Sequence, residues 1–280
     1  MEVLVVGAGA MGRWAGETLR AEFSVAFTDR DRAVADSAAT AVSGRSVPLE
    51  TTETFAAVCL AVPISVVGEA IEAHAGKASR AMIDVTGVMA KPVEAMREHV
   101  PTCERASLHP LFAPENAPGN VAVVVDESGP VVDRALDAIA EAGNDIFETG
   151  PAEHDTAMET VQAGAHTAIL AYALAAEDVR EEFATPVSRT LSELVGTVTG
   201  GTPRVYREIQ ESFEGADAVA DAARRIADAD GETFEQLYEA AGEHPDPSAA
   251  DDQPAHTSES SHTSENDHRT ADRSQSGGGE

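Results

Sequence analysis

Short apolar segments alternate with helix-compatible stretches through the first half of the chain. In chain order these segments are Val3–Val6, Ser24–Thr28, Val58–Val62, Ala81–Val85, Ala106–Leu108 and Val121–Val125. Apolar runs of this length are typical of strands buried on both faces, and their alternation with helices indicates a mostly parallel sheet. The pattern therefore predicts a doubly wound α/β domain over residues 1–150.

The second half of the chain carries helical patterns and no clear strand. Helix-compatible runs cover residues 153–182, 186–198, 203–228 and 231–242, and a Gly-Gly-Thr-Pro break at 200–203 separates two of them. The alanine-rich apolar face between Ala163 and Leu174 offers more area than one small layer can bury. We therefore expect residues 151–243 to form an all-helical substrate and dimerisation domain, and the protein to be a homodimer.

Residues 244–280 contain no Val, Ile, Leu, Met or aromatic side chain. A segment of this composition cannot bury enough apolar surface to offset the entropy that it would lose on ordering. We expect residues 244–280 to be a disordered acidic tail.

A glycine-rich turn follows the first predicted strand. Its residues are Gly7, Ala8, Gly9, Ala10, Met11 and Gly12. Gly7 permits a sharp turn, Gly9 lets a pyrophosphate approach the backbone, and Gly12 lets the next helix pack closely on the sheet. Phosphates then lie at the positive end of that helix. This turn predicts a dinucleotide-binding domain of the Rossmann type.

Two further segments bear on the cofactor. Asp29 ends the second predicted strand, 22 residues after Gly7. A carboxylate about 20 residues beyond the turn binds ribose hydroxyls and disfavours a 2′-phosphate, which favours NAD. Arg30 and Arg32 follow directly and suit a 2′-phosphate, so NADP stays open. Ala61, Val62 and Pro63 end another buried strand at the sheet edge where ligands bind, and we expect them to contact the cofactor.

Acidic residues far outnumber basic ones, at 49 against 19, for a net charge of −30. Residues 1–243 alone hold 41 acidic and 17 basic residues, so the acidity belongs to the folded part. Repulsion by phosphates argues against a nucleic acid partner. The lysine-poor composition, with only Lys77 and Lys91, resembles proteins of salt-accumulating archaea, and an ordinary acidic protein is the alternative.

Cysteine content and apolar runs limit the protein class further. Cys59 and Cys103 make neither a disulfide framework nor a metal-ligand pattern, so we expect no metal. No apolar run approaches the roughly 20 residues of a membrane span, and Met1 begins almost directly on the first strand. We therefore expect a cytoplasmic protein with no membrane partner.

Several side chains suit acid-base chemistry or anion binding. His109 follows a predicted strand, and an imidazole beside a nicotinamide can accept a hydroxyl proton as hydride leaves the same carbon. His154, beside Asp155, fits either a helix-start hydrogen-bonded pair or a functional group, and His166 fits either the core or a substrate-facing position. Arg189 lies in a largely apolar run and favours a carboxylate of the protein or of a substrate.

Four segments taken together resemble the prephenate dehydrogenases of tyrosine biosynthesis. They are Asp84–Met96, Leu108–Pro114, Glu153–Asp155 with Gln162, His166 and the Ala171-Tyr172 pair, and Pro186–Arg189, in an order and spacing that agree from Met1 to about Tyr206. The resemblance implies a Rossmann domain, a helical dimerisation domain, and NAD-dependent oxidative decarboxylation of prephenate, a small dicarboxylate, to 4-hydroxyphenylpyruvate.

The resemblance also assigns roles to individual residues. It implies that His109 deprotonates the C4 hydroxyl, that Arg189 anchors a prephenate carboxylate, and that His166 lies on the substrate side. Many members have a serine beside the catalytic histidine, where this sequence has Gly87, so Thr86 is the candidate for the missing hydroxyl. Neither a chorismate mutase domain nor a regulatory domain is recognisable.

Three other activities compete with this interpretation. Arogenate differs from prephenate only by an amino group in place of the side-chain ketone, and it stays open as the substrate. The β-hydroxyacid dehydrogenases share the Gly-Ala-Met-Gly turn, and they resemble one another in using a lysine of the second domain. This chain has no lysine after Lys91, which argues against that family. A non-catalytic dinucleotide sensor would not need His109, His166 and Arg189 together.

Overall fold

The computed structural model describes residues 1–243, and its first 150 residues form one eight-stranded sheet with helices on both faces. The strands are β1 (Glu2–Val6), β2 (Ser24–Thr28), β3 (Arg45–Ser46), β4 (Phe55–Leu60), β5 (Ala78–Asp84), β6 (Glu104–Pro110), β7 (Asn120–Glu127) and β8 (Asp145–Glu148). The helices between them are α1 (Ala10–Leu19), α2 (Arg32–Ala41), α3 (Val67–His74), α4 (Ala90–His99) and α5 (Pro130–Glu141).

The strand order confirms the predicted doubly wound fold. It is β3-β2-β1-β4-β5-β6-β7-β8, and every neighbouring pair is parallel except β6 with β7. The order reverses between β1 and β4, and ligands of open α/β sheets bind beyond the carboxyl ends of the strands at such a point. The carboxyl ends of β1, β2, β4, β5 and β6 therefore share one edge of the sheet.

Alternation of side chains along the strands builds two separate cores. Val3 and Val5 of β1 lie in the core that α1, α2 and α5 cover, whereas Leu4 and Val6 lie in the core that α3 and α4 cover. The sequence pattern did not predict β3 and β8. β3 is a polar pair of residues, and β8 lies at the sheet edge with no buried residue, so neither produces an apolar run.

Beyond residue 150 the described chain is helical. The elements are α6 (Pro151–Met158), a π-helical segment (Glu159–Gly164), α7 (Ala165–Ala175), α8 (Pro186–Thr199), α9 (Pro203–Ser212), α10 (Gly215–Asp228) and α11 (Gly231–Gly242). The predicted run 153–182 thus ends at Ala175, and the run 203–228 is broken between Ser212 and Gly215. A third core, of Val88, Met158, Ala163, Ile209 and Phe213, joins this helical part to the loop before α4.

Contacts group residues Met1–Ala227 into one compact unit, and a second unit begins at Asp228. The strands end before residue 150, but the predicted domain boundary there stays a prediction. The predicted tail, 244–280, lies outside the described residues. Among residues 1–243 no helix combines the length and the apolar character needed to cross a membrane.

Candidate active site

The glycine turn after β1 has the geometry that its sequence predicts. Gly7 has a φ of +90°, a region that favours glycine, and a Cβ there would lie 2.3 Å from the Ala61 carbonyl oxygen. A Cβ on Gly12 would lie 1.8 Å from the Gly7 oxygen, whereas a Cβ on Gly9 would meet no atom within 4 Å. The two outer glycines thus allow close packing, and Gly9 keeps the backbone open to an approaching ligand.

Helix α1 presents its amino terminus at this turn. It begins at Ala10 after Gly9, and no side chain caps it and no acidic residue lies in its first turn. The first backbone N–H groups of a helix have no partner inside the helix, and the helix dipole makes this end positive. The turn and the uncapped helix therefore fit the pyrophosphate of a dinucleotide, with Ala8, Ala10 and Met11 in the surrounding backbone.

Asp29 lies beside the same turn. Its carboxylate accepts hydrogen bonds from the backbone N–H of Ala8, at 2.7 Å, and of Asp31, at 2.9 Å, and it remains partly exposed. Arg32 pairs with Asp36 at 3.3 Å instead of approaching Asp29, and the neighbouring Arg30 side chain is exposed. This position of the carboxylate fits a ribose that is bound next to the turn.

Ala61, Val62 and Pro63 leave β4 on the other side of the turn. The Ala61 N–H donates to the Val6 oxygen at 2.8 Å, and the three residues are partly buried. The structure thus brings all the predicted cofactor residues to one edge of the sheet. Their contact with a cofactor stays a prediction.

A chain of three polar side chains, two buried histidines and a partly exposed aspartate, lies where β6 ends. His109, at 7% exposure, has its Nδ1 atom 2.8 Å from Nε2 of His154, which is 3% exposed. Nδ1 of His154 lies 2.8 Å from a carboxylate oxygen of Asp155. The Asp155 carboxylate also accepts the backbone N–H groups of Met89 and Ala90, at 3.0 and 3.1 Å. The amino terminus of α4 therefore holds one end of the chain in place.

The charge state of Asp155 follows from these bonds. Burial raises the pKa of Asp155, but the hydrogen bonds from His154 and from the two backbone amides outweigh burial and leave that pKa below its ordinary value. Asp155 is therefore a carboxylate at neutral pH and accepts hydrogen bonds only.

These bonds determine the tautomer of His109 when both imidazoles are neutral. His154 donates through its Nδ1–H to Asp155, so its Nε2 carries the lone pair and accepts from the Nδ1–H of His109. The lone pair of His109 then lies on Nε2. Burial and the neighbouring His154 lower the pKa of His109 well below its ordinary value, with Asp155 acting in the opposite direction. His109 is therefore a neutral base at physiological pH.

The Nε2 atom of His109 faces Gly87 and Gln162. A Cβ on Gly87 would lie 3.3 Å from this atom, and the Gln162 side-chain amide nitrogen approaches it to 3.3 Å. Thr86 does not make this contact, because its hydroxyl donates to Asp84 at 2.7 Å. A substrate-binding role for Thr86 stays a prediction, and Gln162 is the side chain that contacts the base.

Asp84, at the carboxyl end of β5, is a second perturbed acid near the site. Its side chain is fully buried; one oxygen accepts the hydroxyl and N–H of Thr86, and the other has no partner in the described part of the chain. Burial raises the pKa of Asp84 to about 7, against the effect of hydrogen bonds from Thr86 and Ser107. Such a shift is typical of acids in functional sites but also occurs in structural ones.

Two predicted substrate residues lie on the helices beyond the sheet. His166, on α7, packs its ring edge-on against Tyr206 with 4.8 Å between centroids, and burial lowers its pKa. Arg189 lies exposed in the first turn of α8 and forms no ion pair within residues 1–243. No described contact joins either residue to His109, so their substrate roles stay predictions.

Sequence reasoning assigned no role to Gln162 and left the role of His154 open. Gln162 lies in the π-helical segment, and segments of this kind are frequent at functional sites. The sequence carried one usable signal, the adjacency of His154 and Asp155, but not the contact with a histidine 45 residues away.

Known proteins resemble the chain along most of its length. Residues 15–125 match the family described as "Prephenate dehydrogenase, nucleotide-binding domain". The 4-amino-4-deoxyprephenate dehydrogenase of Streptomyces pristinaespiralis is 31% identical over 262 residues, which cover 84% of this chain and 88% of that protein. The probable arogenate/prephenate dehydrogenase of Methanocaldococcus jannaschii is 24% identical over 225 residues, which cover 74% of this chain and 50% of the relative.

Solved structures show the same fold. Prephenate dehydrogenase from A. aeolicus, solved in complex with hydroxyphenyl propionate and NAD+, superposes with a TM-score of 0.65 at 16% identity, covering 86% of this chain and 96% of that one. The extent of the match to the Streptomyces relative, together with the nucleotide-binding domain, establishes more than a shared fold. The chain belongs to the prephenate dehydrogenase family and is a dehydrogenase.

Proposed function

We propose that this enzyme uses NAD to oxidise and decarboxylate prephenate, giving 4-hydroxyphenylpyruvate for tyrosine biosynthesis. The observation that carries the proposal is the neutral His109 imidazole, whose Nε2 lone pair faces Gly87 and Gln162 at the sheet edge that also holds the glycine turn. A substrate hydroxyl at this position can donate to Nε2 in place of the Gln162 amide.

The chain's residues divide the work of binding and catalysis. Gly7, Gly9, Gly12 and Asp29 would hold the dinucleotide, and bound NAD supplies the two-electron acceptor for hydride from C4. Asp29 favours NAD over NADP because a carboxylate repels a 2′-phosphate. NAD+ is also the cofactor in the solved complex of the A. aeolicus enzyme.

His109 moves the proton. It accepts the C4 hydroxyl proton at Nε2 as the C4–H bond breaks, and the oxygen becomes a carbonyl. The bond to the ring carboxylate then breaks, carbon dioxide leaves, and the electron pair makes the ring aromatic. The resulting phenolate oxygen recovers the proton from His109, so the reaction releases no net proton.

The substrate has a second candidate. The relative that is 31% identical is named for 4-amino-4-deoxyprephenate, which carries an amino group at C4 instead of a hydroxyl. Gln162, which contacts the base, offers an amide whose oxygen would accept a hydrogen bond from either substituent. Arogenate, which keeps the hydroxyl and changes the side chain, is the third substrate to compare, because the M. jannaschii relative is named for it.

An assay with purified protein in molar KCl tests the proposal. Prephenate, arogenate and 4-amino-4-deoxyprephenate are each offered with NAD and with NADP, and reduced cofactor and carbon dioxide are both measured. The proposal predicts the highest kcat/KM for prephenate with NAD and equal amounts of the two products. A preference for either of the other substrates would overturn the assignment of the substrate.

We also propose that the enzyme is a homodimer. No residue of α7 is buried, although the helix is apolar, and Leu174 at its end is 89% exposed. Phe183, just before α8, and Val187, in the first turn of α8, are 67% and 71% exposed. Large apolar side chains exposed together are typical of an interface. Light scattering in molar KCl should give twice the chain mass of 29.1 kDa, and a monomer would refute the proposal.

A further inference from the structure

We propose that His154, paired with Asp155, stores the proton that His109 takes from the substrate and returns it when the product forms. The inference rests on the proposed function of His109 as the base. It gives a role in proton transfer to two residues that do not face the substrate side of His109. His154 is therefore a positioning and proton-storing residue for the reaction.

The three contacts form one uninterrupted path. Nδ1 of His109 lies 2.8 Å from Nε2 of His154, and Nδ1 of His154 lies 2.8 Å from the Asp155 carboxylate. Both distances are within the range for a direct hydrogen bond, so no water is needed between the groups. The remaining nitrogen of His109, Nε2, is the atom available to the substrate.

The positive charge is more stable on His154 than on His109. Both imidazoles are almost fully buried, and burial of a charge without a partner is costly. Of the two imidazoles, His154 is the one that contacts a carboxylate within residues 1–243, and the backbone N–H groups of Met89 and Ala90 keep Asp155 ionised. The lowered pKa of His109 also favours a charge on His154 over a charge on His109. Burial is the main cause of that lowered pKa, and a charge on His154 is a further cause.

The step balances in atoms and charge. The substrate O–H bond breaks, and its proton binds Nε2 of His109. The proton on Nδ1 of His109 passes to Nε2 of His154, which becomes an imidazolium paired with Asp155, and His109 is neutral again. After carbon dioxide leaves, the two transfers run in reverse and the phenolate oxygen becomes a hydroxyl.

Among the charged groups around this chain, Asp155 acts most directly on His154. Asp155 lines a cavity of about 390 Å³ together with Lys91 of α4 and Glu208 and Glu211 of α9. Asp84 of β5 lies close enough for Asp155 to raise its pKa. Glu208 and Glu211 lie 3.9 and 3.7 Å from the guanidinium groups of Arg204 and Arg207, so their charges are offset, and Asp155 is the carboxylate that stabilises a cation on His154.

The same geometry makes His154 a pH-dependent switch. If His154 is protonated before substrate binds, its Nε2–H donates to Nδ1 of His109. His109 must then carry its own proton on Nε2 and has no lone pair for the substrate. The acid limb of kcat/KM therefore reports the titration of the two imidazoles as a pair.

Substitution of His154 separates storage from positioning. In His154→Gln the side-chain oxygen can still accept the Nδ1–H of His109, which preserves the orientation of the base, but the amide cannot take a proton. We expect kcat to fall by about 10- to 100-fold and the acid limb to move to lower pH by about one unit or more, because only the buried His109 then titrates. Asp155→Asn should also move the acid limb of the pH profile to lower pH, because it removes the carboxylate that stabilises a charge on His154.

Glu153→Gln is the matched control, because it removes a carboxylate from the same turn of α6, and within residues 1–243 the Glu153 side chain accepts hydrogen bonds from Thr149 and Gly150 alone. Its pH profile should equal that of the unmodified enzyme. A His154→Gln enzyme that is folded by circular dichroism and keeps the original acid limb, whatever its kcat, would overturn the proposal.

A titration of the free protein with 15N-labelled histidine keeps this test separate from the proposed function. We expect His109 to be protonated on Nδ1 at alkaline pH, and His154 to take up a proton first as the pH falls. His109 taking up the proton first would refute the storage role even in an active enzyme. Absence of prephenate turnover with the expected titration would refute the function and leave the imidazole pair as described.

Discussion

Asp84 gives a prediction whose size follows from the structure. Its carboxyl group is fully buried at the end of β5, with one oxygen bound to Thr86 and the other without a partner in residues 1–243. In Asp84→Asn the amide oxygen can keep the bonds from Thr86, and the side chain no longer ionises. The substitution therefore isolates the free energy of burying this charge.

The pKa of Asp84 is raised from 3.8 to about 7, and burial is the main cause. The folded chain thus binds this proton more tightly than the unfolded chain. Its contribution to stability is fully present below about pH 4 and is lost as the pH rises to about 7. At 1.36 kcal/mol for each pKa unit, the loss is roughly 4 kcal/mol in total, and about 2 kcal/mol of it falls above pH 5.5.

Urea unfolding at several pH values in molar KCl measures this effect. The free energy of unfolding of Asp84→Asn, minus that of the unmodified protein, should grow by about 2 kcal/mol between about pH 5.5 and about pH 8. Asp137→Asn, an exposed position on α5, is the control for the loss of one carboxylate. Parallel stability curves for Asp84→Asn and the unmodified protein would refute the reasoning, because they would show that Asp84 titrates alike in both states.

Three further predictions concern binding and salt. Asp29→Ser should raise the kcat/KM ratio of NADP to NAD, since the carboxylate that repels a 2′-phosphate is lost; an unmodified enzyme that uses NADP as well as NAD would contradict this. Arg189→Gln should raise KM about tenfold or more with little change in kcat, because a charge-assisted anchor is worth about 1.5 to 3 kcal/mol, and an unchanged KM would argue against an anchor there. With 41 acidic and 17 basic residues in 1–243, the midpoint of thermal unfolding and the activity should both rise from dilute buffer to molar KCl; full stability without salt would exclude the halophilic interpretation.

The sequence predicted the parts of the fold that depend on local pattern. The apolar runs around Val3–Val6 and Val121–Val125 are strands, and the glycine turn has the backbone that its residues require, because burial and φ preferences act over a few residues. The polar pair Arg45–Ser46 joins the sheet through its neighbours alone, and no local pattern predicts it.

The site was predictable only in part, for the same reason. His109 could be proposed from its place after a strand and from family resemblance. Its contacts with His154 and Gln162 come from segments 45 and 53 residues away and depend on how α6 and the π-helical segment pack against the end of β6. Thr86 adjoins Gly87 in sequence, but its hydroxyl donates to Asp84, and its substrate role stays a prediction. The side chain that contacts Nε2 of His109, Gln162, therefore follows from tertiary packing and not from distance along the chain.

Replacement of His109 tests the central claim most directly. The unmodified enzyme should convert prephenate and NAD to equal amounts of reduced cofactor and carbon dioxide. His109→Asn keeps a similar size and some hydrogen bonding but cannot accept the proton, so kcat should fall on the order of 100-fold or more, KM should change less, and the acid limb of the pH profile should disappear. Near-normal turnover with an unchanged pH profile would contradict the account and place the base elsewhere.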